Sequence, residues 1–466
     1  MRKLVLRTAL AGLTIGALSS NLRAETIEEL KAMIQALDQK VKILERKQEL
    51  DKEVTTEKEK SASVVSVGAN GFVIRSADTN FVMRLRAVVQ ADGRFYPNNG
   101  NGTAKDTFTM RKVRPYLEGT VYGKFDYRVM TDFGSGLTST TSNNDFVQDA
   151  YVNAKLWPEF QIQAGKFKEP AGLERLKSDA DVSFTERAYP TSLVPNRDVG
   201  LMFQGEIAKG IAAYQLGIFN GTTDGGSDDA ETSDGDKDVA ARVFFKPFLN
   251  SKREGLRGFG FGVAGTAGRQ KGAPRGYSTP GQQRFFSYLS GAGTSAATAN
   301  VNADGTHLRL VPQASYYWGP FGIYGEYAIS DQELSRSAGG PLTYTRVQNT
   351  GWQVTGSYFL TDDQNSFGQI VPKKPVDFSG NGGWGAWEVV AQVSGIDLDK
   401  KAFPLFASTA TSASSALTWG IGLNWYLNRN VKLQAGYERT DFEGGKGSIL
   451  NQKGENVLLT RIQLAF

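Results

Sequence analysis

From Phe81 onward the chain alternates. Phe81, Met83, Leu85, Ala87 and Val89 fall on one parity, and Arg84, Arg86 and Gln90 on the other. Phe125, Tyr127, Val129 and Phe133 oppose Lys124, Asp126, Arg128 and Asp132. Side chains at i and i+2 of a strand point the same way, so each such segment has one apolar and one polar face. The pattern recurs through 146–157, 159–168, 199–209, 211–219 and 239–248 and on to the C-terminus. It predicts 16 strands, starting near residues 81, 107, 124, 146, 159, 199, 211, 239, 258, 306, 320, 344, 384, 416, 430 and 456. In the last segment Leu458, Thr460, Ile462, Leu464 and Phe466 share one parity, and Arg461 and Gln463 take the other.

The connections alternate as well. Those after even-numbered strands are mostly short: Gly123, Trp157-Pro158, Lys209-Gly210, Gly319-Pro320 and 428–430. Those after odd-numbered strands are long: 92–106, 134–145, 169–198, 220–238, 270–305, 331–343, 399–415 and 442–455. Short turns on one side and long loops on the other are the asymmetry of an outer-membrane barrel, and a soluble sandwich gives no reason for it. The predicted fold class is therefore all-β: a 16-stranded antiparallel transmembrane β-barrel over 81–466, with an N-terminal coiled-coil helix. One connection, 361–383, is long on the short side.

Ahead of the strands, Ile27, Leu30, Ile34, Leu37, Val41 and Leu44 recur at spacings of 3 and 4, which predicts a short coiled coil over 25–60. β-branched residues at one seam position and leucines at the other favour two strands. Residues 61–80 read as a linker. Residues 1–24 read as a secretory leader, with Arg2, Lys3 and Arg7 ahead of the apolar stretch Ala9–Leu18.

Composition narrows the function. No apolar run of about 18 residues occurs outside the leader, so helical membrane spans are excluded. The mean hydropathy of −0.34 fits strands that alternate polar with apolar residues. The chain has no cysteine, so disulfides and thiolate metal sites are out. Much of the basic pI of 9.0 comes from Arg2, Lys3, Arg7 and Arg23 of the leader, which weakens any case for nucleic acid. His307 is the only histidine, and beside Thr306 and Arg309 it forms no recognisable catalytic arrangement, so it reads as a rim residue. Asp224 to Asp238 is rich in acids without the ligand spacing of a calcium loop, and reads as a solvated extracellular loop. Trp384, Trp387, Trp419, Trp425 and Tyr426 read as interface girdle and wall. Neither cofactor, metal nor enzymatic activity is predicted.

Five motifs occur in order along the strands: Met110-Arg111-Lys112-Val113-Arg114 with Tyr116-Leu117-Glu118-Gly119; Gly165-Lys166-Phe167 with Gly172-Leu173-Glu174; Glu186-Arg187; Gly383-Trp384-Gly385-Ala386-Trp387-Glu388; and Gly422-Leu423-Asn424-Trp425-Tyr426-Leu427-Asn428. With them, from about Gly71 to Phe466, the chain resembles the phosphate-selective porin O and P family of outer-membrane channels. The resemblance implies a trimeric 16-stranded barrel, an inward-folded loop after the fifth strand (165–200 here), and basic residues lining an anion path. It implies that Arg114, Arg175 and Arg187 match positions that bind anion at the constriction. Val113 precedes Arg114 where phosphate-selective members have adjacent arginines, which bears on phosphate preference and not on anion passage.

The residues agree in kind. An anion entering a narrow bore loses hydration, and guanidinium or ammonium groups must replace it. Parity turns Arg84, Arg86, Arg114 and Arg128 to the wet face; Lys112 shares Arg114's face, and Arg111 does so only if a bulge intervenes. The candidate anion path is Arg84, Arg86, Lys112, Arg114, Lys166, Arg175 and Arg187. Arg128, between Asp126 and Asp132, reads as a wall pair instead. In 165–200, six basic residues (Lys166, Lys168, Arg175, Lys177, Arg187, Arg197) balance six acids (Glu169, Glu174, Asp179, Asp181, Glu186, Asp198), so selectivity depends on which charges turn to the bore. The predicted function is a passive, anion-preferring outer-membrane channel for phosphate or polyphosphate. It would be a lipid-embedded homotrimer with the helix in the periplasm and no nucleic-acid partner. Alternatives are a general or differently selective pore, an outer-membrane enzyme, and an envelope-anchoring protein.

Overall fold

The computed structural model describes residues 27–61, 63–68, 71–97, 104–134, 146–228, 235–291, 300–337, 340–380, 382–444 and 454–466. The leader expected over 1–24 lies outside them. The chain divides into two units, 1–62 and 63–466. In the first, α1 (Ile27–Ser61) is one continuous helix, on which Ile34, Leu37, Val41 and Leu44 stay exposed.

In the second unit the alternating segments form sixteen long strands: β3 (Val82–Phe95), β4 (Thr107–Val121), β5 (Phe125–Thr131), β6 (Val147–Trp157), β7 (Phe160–Lys168), β8 (Arg197–Ile207), β9 (Ala212–Phe219), β10 (Asp238–Phe245), β11 (Phe259–Gly272), β14 (Asn302–Trp318), β15 (Phe321–Arg336), β16 (Thr343–Phe359), β17 (Ala386–Asp397), β18 (Ser415–Tyr426), β19 (Val431–Glu443) and β20 (Glu455–Ala465). Every predicted strand is present, each starting within four residues of its expected place. Each pairs antiparallel with the next, and β20 returns to β3 with Leu464 opposite Val89, closing the barrel. Closure leaves the long strands no free edge, so their backbone groups are satisfied inside the sheet, as a bilayer requires.

The burial is that of a membrane barrel. Gln90, Asp92 and Arg94 of β3 and Arg461 and Gln463 of β20 are buried inward, while Leu85, Leu458, Ile462 and Leu464 are exposed outward. In the tight turn between β14 and β15, Gly319 takes the positive φ (+54°) that favours glycine. A second longer connection, 246–258, joins 361–383 on the short-turn side; it holds one helical turn, Glu254–Arg257.

Residues 61–80, read as a linker, instead carry a hairpin: β1 (Val64–Gly68) and β2 (Gly71–Arg75). β2 pairs with the start of β3, Phe72 opposite Leu85, just where pairing with β20 runs out at Ala465 opposite Val88. β3 extends beyond the chain's last residue, and the hairpin supplies partners for that overhang. A small hairpin, β12 (Tyr277–Ser278) with β13 (Arg284–Phe286), lies in the excursion between β11 and β14.

The connection between β7 and β8 positions the site. It leaves β7 beyond Gly165 (φ +125°), where a Cβ would come 2.1 Å from the Ala150 carbonyl oxygen, so only glycine allows β6 and β7 this approach. It holds one helical turn, α2 (Leu173–Leu176), and a 3-10 turn at Tyr189–Ser192. Leu173, Tyr189, Leu193 and Val194 are buried.

Candidate functional site

The loop is fastened to the wall formed by β15–β20. The backbone N–H groups of Leu173 and Glu174, which begin α2, donate to the Glu326 carboxylate (2.6 and 3.1 Å). The first amides of a helix have no partner within it, so a carboxylate there satisfies them. Glu174 accepts from the Ala188 N–H (2.9 Å), the Tyr324 hydroxyl (3.0 Å) and the Gln353 amide (3.4 Å). The Tyr189 N–H donates to Ser394 Oγ (3.1 Å), and its hydroxyl pairs with Thr418 (2.8 Å). Lys432 Nζ donates to the carbonyls of Ala180 (3.0 Å) and Val182 (3.1 Å). The Asn424 and Gln434 amides meet the Ser183 carbonyl (2.9 and 3.1 Å).

The opposite wall, β3–β9, carries the cations. Pairing between β3 and β4 shifts so that Gln90 faces Lys112 and Ala91 faces Met110, leaving Arg111 as the extra residue of a bulge. A bulge breaks the alternation, which lets Arg111 and Lys112 both reach inward. The Arg111 guanidinium grips Glu186 through Nε (2.6 Å) and Nη2 (3.0 Å), and Arg94 binds the same carboxylate (2.6 Å). Burial alone would raise the Glu186 carboxyl, but Arg111 and Arg94 outweigh it and hold it well below the usual carboxylate range. Asp179 is treated likewise. Against burial, Arg187, Lys112 and Arg114 hold it well below its ordinary value, with Arg114 and Arg187 in direct contact and Lys112 at 3.3 Å.

Between loop residues 176–181 and this wall lies a cavity of about 440 Å³. Its charged lining is Arg86, Arg114, Arg128, Lys168 and Arg197 against Asp149, Asp179 and Asp181, so cations outnumber carboxylates. Arg86 and Arg128 share Glu118 (3.0 and 2.5 Å) and stand 5.5 and 5.2 Å from the Tyr116 ring centre. Arg197 pairs with Asp149 (2.8 Å). A guanidinium has five N–H donors, so one carboxylate contact leaves donors for a passing anion. Gln369 reaches the cavity from the 361–383 connection, held by Arg429 (3.2 Å).

Of the predicted path residues, Arg86 and Arg114 line the cavity, and Lys112 joins Arg114 at Asp179. Arg84 is half-buried on the same face and forms no ion pair among the described residues. Lys166 is buried and does not line the cavity. Arg175 and Arg187 do not line it either. Arg175 donates to the Thr191 carbonyl; Arg187 donates to the carbonyls of Glu174 (3.2 Å) and Lys177 (2.9 Å) as well as to Asp179. Both knit the loop together.

Other expectations need correction. Arg128 forms the expected cross-strand wall pair, but its acid is Glu118, its direct register partner on β4, while Asp126 holds Lys155 (2.7 Å) and Asp132 holds Arg114 (2.6 Å). Cross-strand neighbours are closer than i±2 neighbours on one strand, and proximity decides. His307 is fully buried, not at the rim, with Nδ1 on Gln270 (2.7 Å) and Nε2 on Ser330 (2.8 Å). Asp224 is buried rather than solvated, accepting from Arg309 (2.7 Å) and Ser330 Oγ (2.6 Å). Because Ser330 donates to Asp224 and His307 Nδ1 faces an amide, the trio lacks the serine–histidine–carboxylate order of a hydrolase.

Arg111, Arg128, Lys168, Arg197 and Gln369 are the site residues that the sequence reading left out. The adjacent Arg111-Lys112 pair, which interrupts the alternation, was the one signal for the bulge.

Comparisons with known proteins agree with this architecture. The model of the family "Phosphate-selective porin O and P" matches residues 81–466. The chain is similar to Porin O of Pseudomonas aeruginosa, 25% identical over 435 residues that cover 89% of this chain and 94% of that protein. Among solved structures it resembles the outer membrane channel DcaP of Acinetobacter baumannii (TM-score 0.52, 10% identity, 83% of this chain and 98% of that one). It also resembles OmpT of Vibrio cholerae (TM-score 0.51, 11% identity, with the same coverage of 83% and 98%). At these identities the two structures speak for the fold alone. A closed sixteen-stranded barrel with a basic bore, matched by the family over its whole length, places the chain in the phosphate-selective porin O and P family: it is an anion-preferring outer-membrane porin.

Proposed function

We propose that the channel passes small oxyanions, phosphate or polyphosphate among them, along the β3–β9 wall. The observation that carries this reading is the cavity lined by Arg86, Arg114, Arg128, Lys168 and Arg197 and by three carboxylates, with Glu118 and Asp132 paired to the arginines outside the lining. Arg84 and Arg86 hand the anion along β3, and Lys112 and Arg114 receive it at the loop. Lys166, Arg175 and Arg187 act through the shape and field of the loop. The exposed seam of α1 supports association of copies in the periplasm, and the family supports a homotrimer set in outer-membrane lipid.

A second reading has one observation of its own. Gln163, Gln204 and Gln215 line the same cavity as a ladder of amides, with Gln204 3.0 Å from Gln163 and 3.4 Å from Gln215. Amides suit hydroxyl-bearing organic acids as well as phosphate. The purified channel in a planar bilayer under a salt gradient tests the first reading: the reversal potential is anion-selective, and phosphate blocks chloride current more strongly than a hydroxy acid of equal charge. Cation selectivity would overturn it, and stronger block by the hydroxy acid would favour the second.

A further inference from the structure

The bore of a membrane barrel is polar, yet one stretch of this wall is not. Phe167, Met202, Phe219 and Ala240 form an apolar cluster across β7–β10, and Tyr151 of β6 packs against it, its ring 6.0 Å from that of Phe167. Tyr151 and Met202 line the cavity. The register opens a recess beside the Tyr151 ring. Opposite Tyr151 on β7 is Gly165, and opposite Gly165 on β8 is Gly200, so the two positions next to the ring carry no side chain.

Polar groups are ordered around this recess by the same register. On its other side Tyr151 stands opposite Arg128, which with Arg86 flanks the Tyr116 ring and shares Glu118. Two residues along β6 toward the short-turn side, Asn153 stands opposite Gln163. One row beyond, Gln161 leads to Gln204, and Gln204 to Gln215. Inward rows succeed one another every two residues, so guanidinium, aromatic ring and amides follow within about 13 Å of wall. Arg86, Arg128, Tyr151, Gln163, Gln204 and Gln215 all line the one cavity of about 440 Å³. The amides are bonded to each other, but each has two N–H donors and an oxygen with two lone pairs, so capacity remains.

We propose that this cavity is a site for sugar phosphates: the phosphate rests on Arg86 and Arg128, the sugar ring on Tyr151, and the hydroxyls on Gln163, Gln204 and Gln215. This names the substrate class of the anion path proposed above and rests on it. An inorganic phosphate uses only the guanidinium groups. A phosphorylated sugar uses all three surfaces, because its C–H face packs on an aromatic ring and its hydroxyls both donate to and accept from amides.

The test is block of chloride current in planar bilayers by glucose 6-phosphate, cyclohexyl phosphate and inorganic phosphate at pH 8, where all three are mainly dianions. Cyclohexyl phosphate keeps the ring and the charge and lacks the hydroxyls. The unsubstituted channel's reversal potential is measured first: cation selectivity overturns the anion path and this proposal with it. In an anion-selective channel the half-blocking concentration of glucose 6-phosphate is about tenfold below that of cyclohexyl phosphate, the worth of one or two net hydrogen bonds. Gln204→Leu with Gln215→Leu brings that ratio close to one, and Gln163→Met lowers it part of the way. Tyr151→Leu weakens block by both ring-bearing probes relative to inorganic phosphate. Each ratio is measured within one channel, so a general change in pore width or selectivity cancels. Equal or weaker block by glucose 6-phosphate, with anion selectivity intact, overturns this proposal alone. A preference that all the glutamine variants retain also overturns it, because the hydroxyls are then read elsewhere.

Discussion

The two halves of the barrel wall do opposite work with similar residues. On β15–β20, inward amides, hydroxyls, Lys432 and the Glu326 carboxylate are used up on the loop. On β3–β9, the inward guanidinium groups of Arg86, Arg114, Arg128 and Arg197 line the cavity. The difference shows how a loop of zero net charge serves an anion channel. Two of its acids are consumed by defined partners, Glu174 by Tyr324 and Ala188 and Glu186 by Arg94 and Arg111, and of its acids only Asp179 and Asp181 line the cavity, against five cations.

Breaking the fastening half has the largest effect. Glu326→Ala leaves the Leu173 and Glu174 amides buried without an acceptor, a cost of about 1–3 kcal/mol for each. Single-channel recording then shows a several-fold rise in conductance with weakened selectivity, because the loop leaves the bore. Changing the conducting half acts on selectivity at nearly constant conductance. Arg114→Ala strands Asp132 and Asp179 with one fewer cation, and the anion-to-cation permeability ratio falls roughly tenfold, equivalent to about 1.4 kcal/mol. Arg86→Gln costs less, about threefold in the same ratio, since Arg128 still covers Glu118.

The smallest effect is that of pH. Glu186 and Asp179 both have carboxyls held below their ordinary values, by Arg111 and Arg94 and by Arg187, Lys112 and Arg114 against the opposing effect of burial. Depressed carboxyls contribute stability that is fully present above their unfolded values and lost only as pH falls through the depressed ones. The hold of Glu186 and Asp179 on the loop therefore stays constant between about pH 8 and pH 5 and loosens only in stronger acid. Asp181, which lines the cavity and whose carboxyl burial raises, takes up a proton before either of them, and a small shift of the reversal potential on acidification reads it.

The fold was legible because its rule is local. Leu85 out and Arg86 in needs only the two-residue period of a strand, and the period persists from Phe81 to Phe466. The site was legible only in part, for the same reason. Arg86 and Arg114 could be placed by counting. Arg111 could not, because the bulge beside Gln90 shifts the count by one. Arg128 was legible as a wall pair, but which acid it takes, Glu118 across the ladder, was not. Asp224 belonged to a stretch whose composition is that of a solvated loop, and Arg309 drew it inside.

The loop at 165–200 shows where sequence stops. Composition determined that its charges cancel. The direction of each charge was decided in three dimensions. Glu174, Arg175, Glu186 and Arg187 alternate in sign over a short stretch, yet both arginines turn into the loop while both acids turn toward partners on the wall. A strand's period fixes orientation because the backbone repeats. A loop has no period, and the orientation of each side chain is set by the partner that can bury it at least cost.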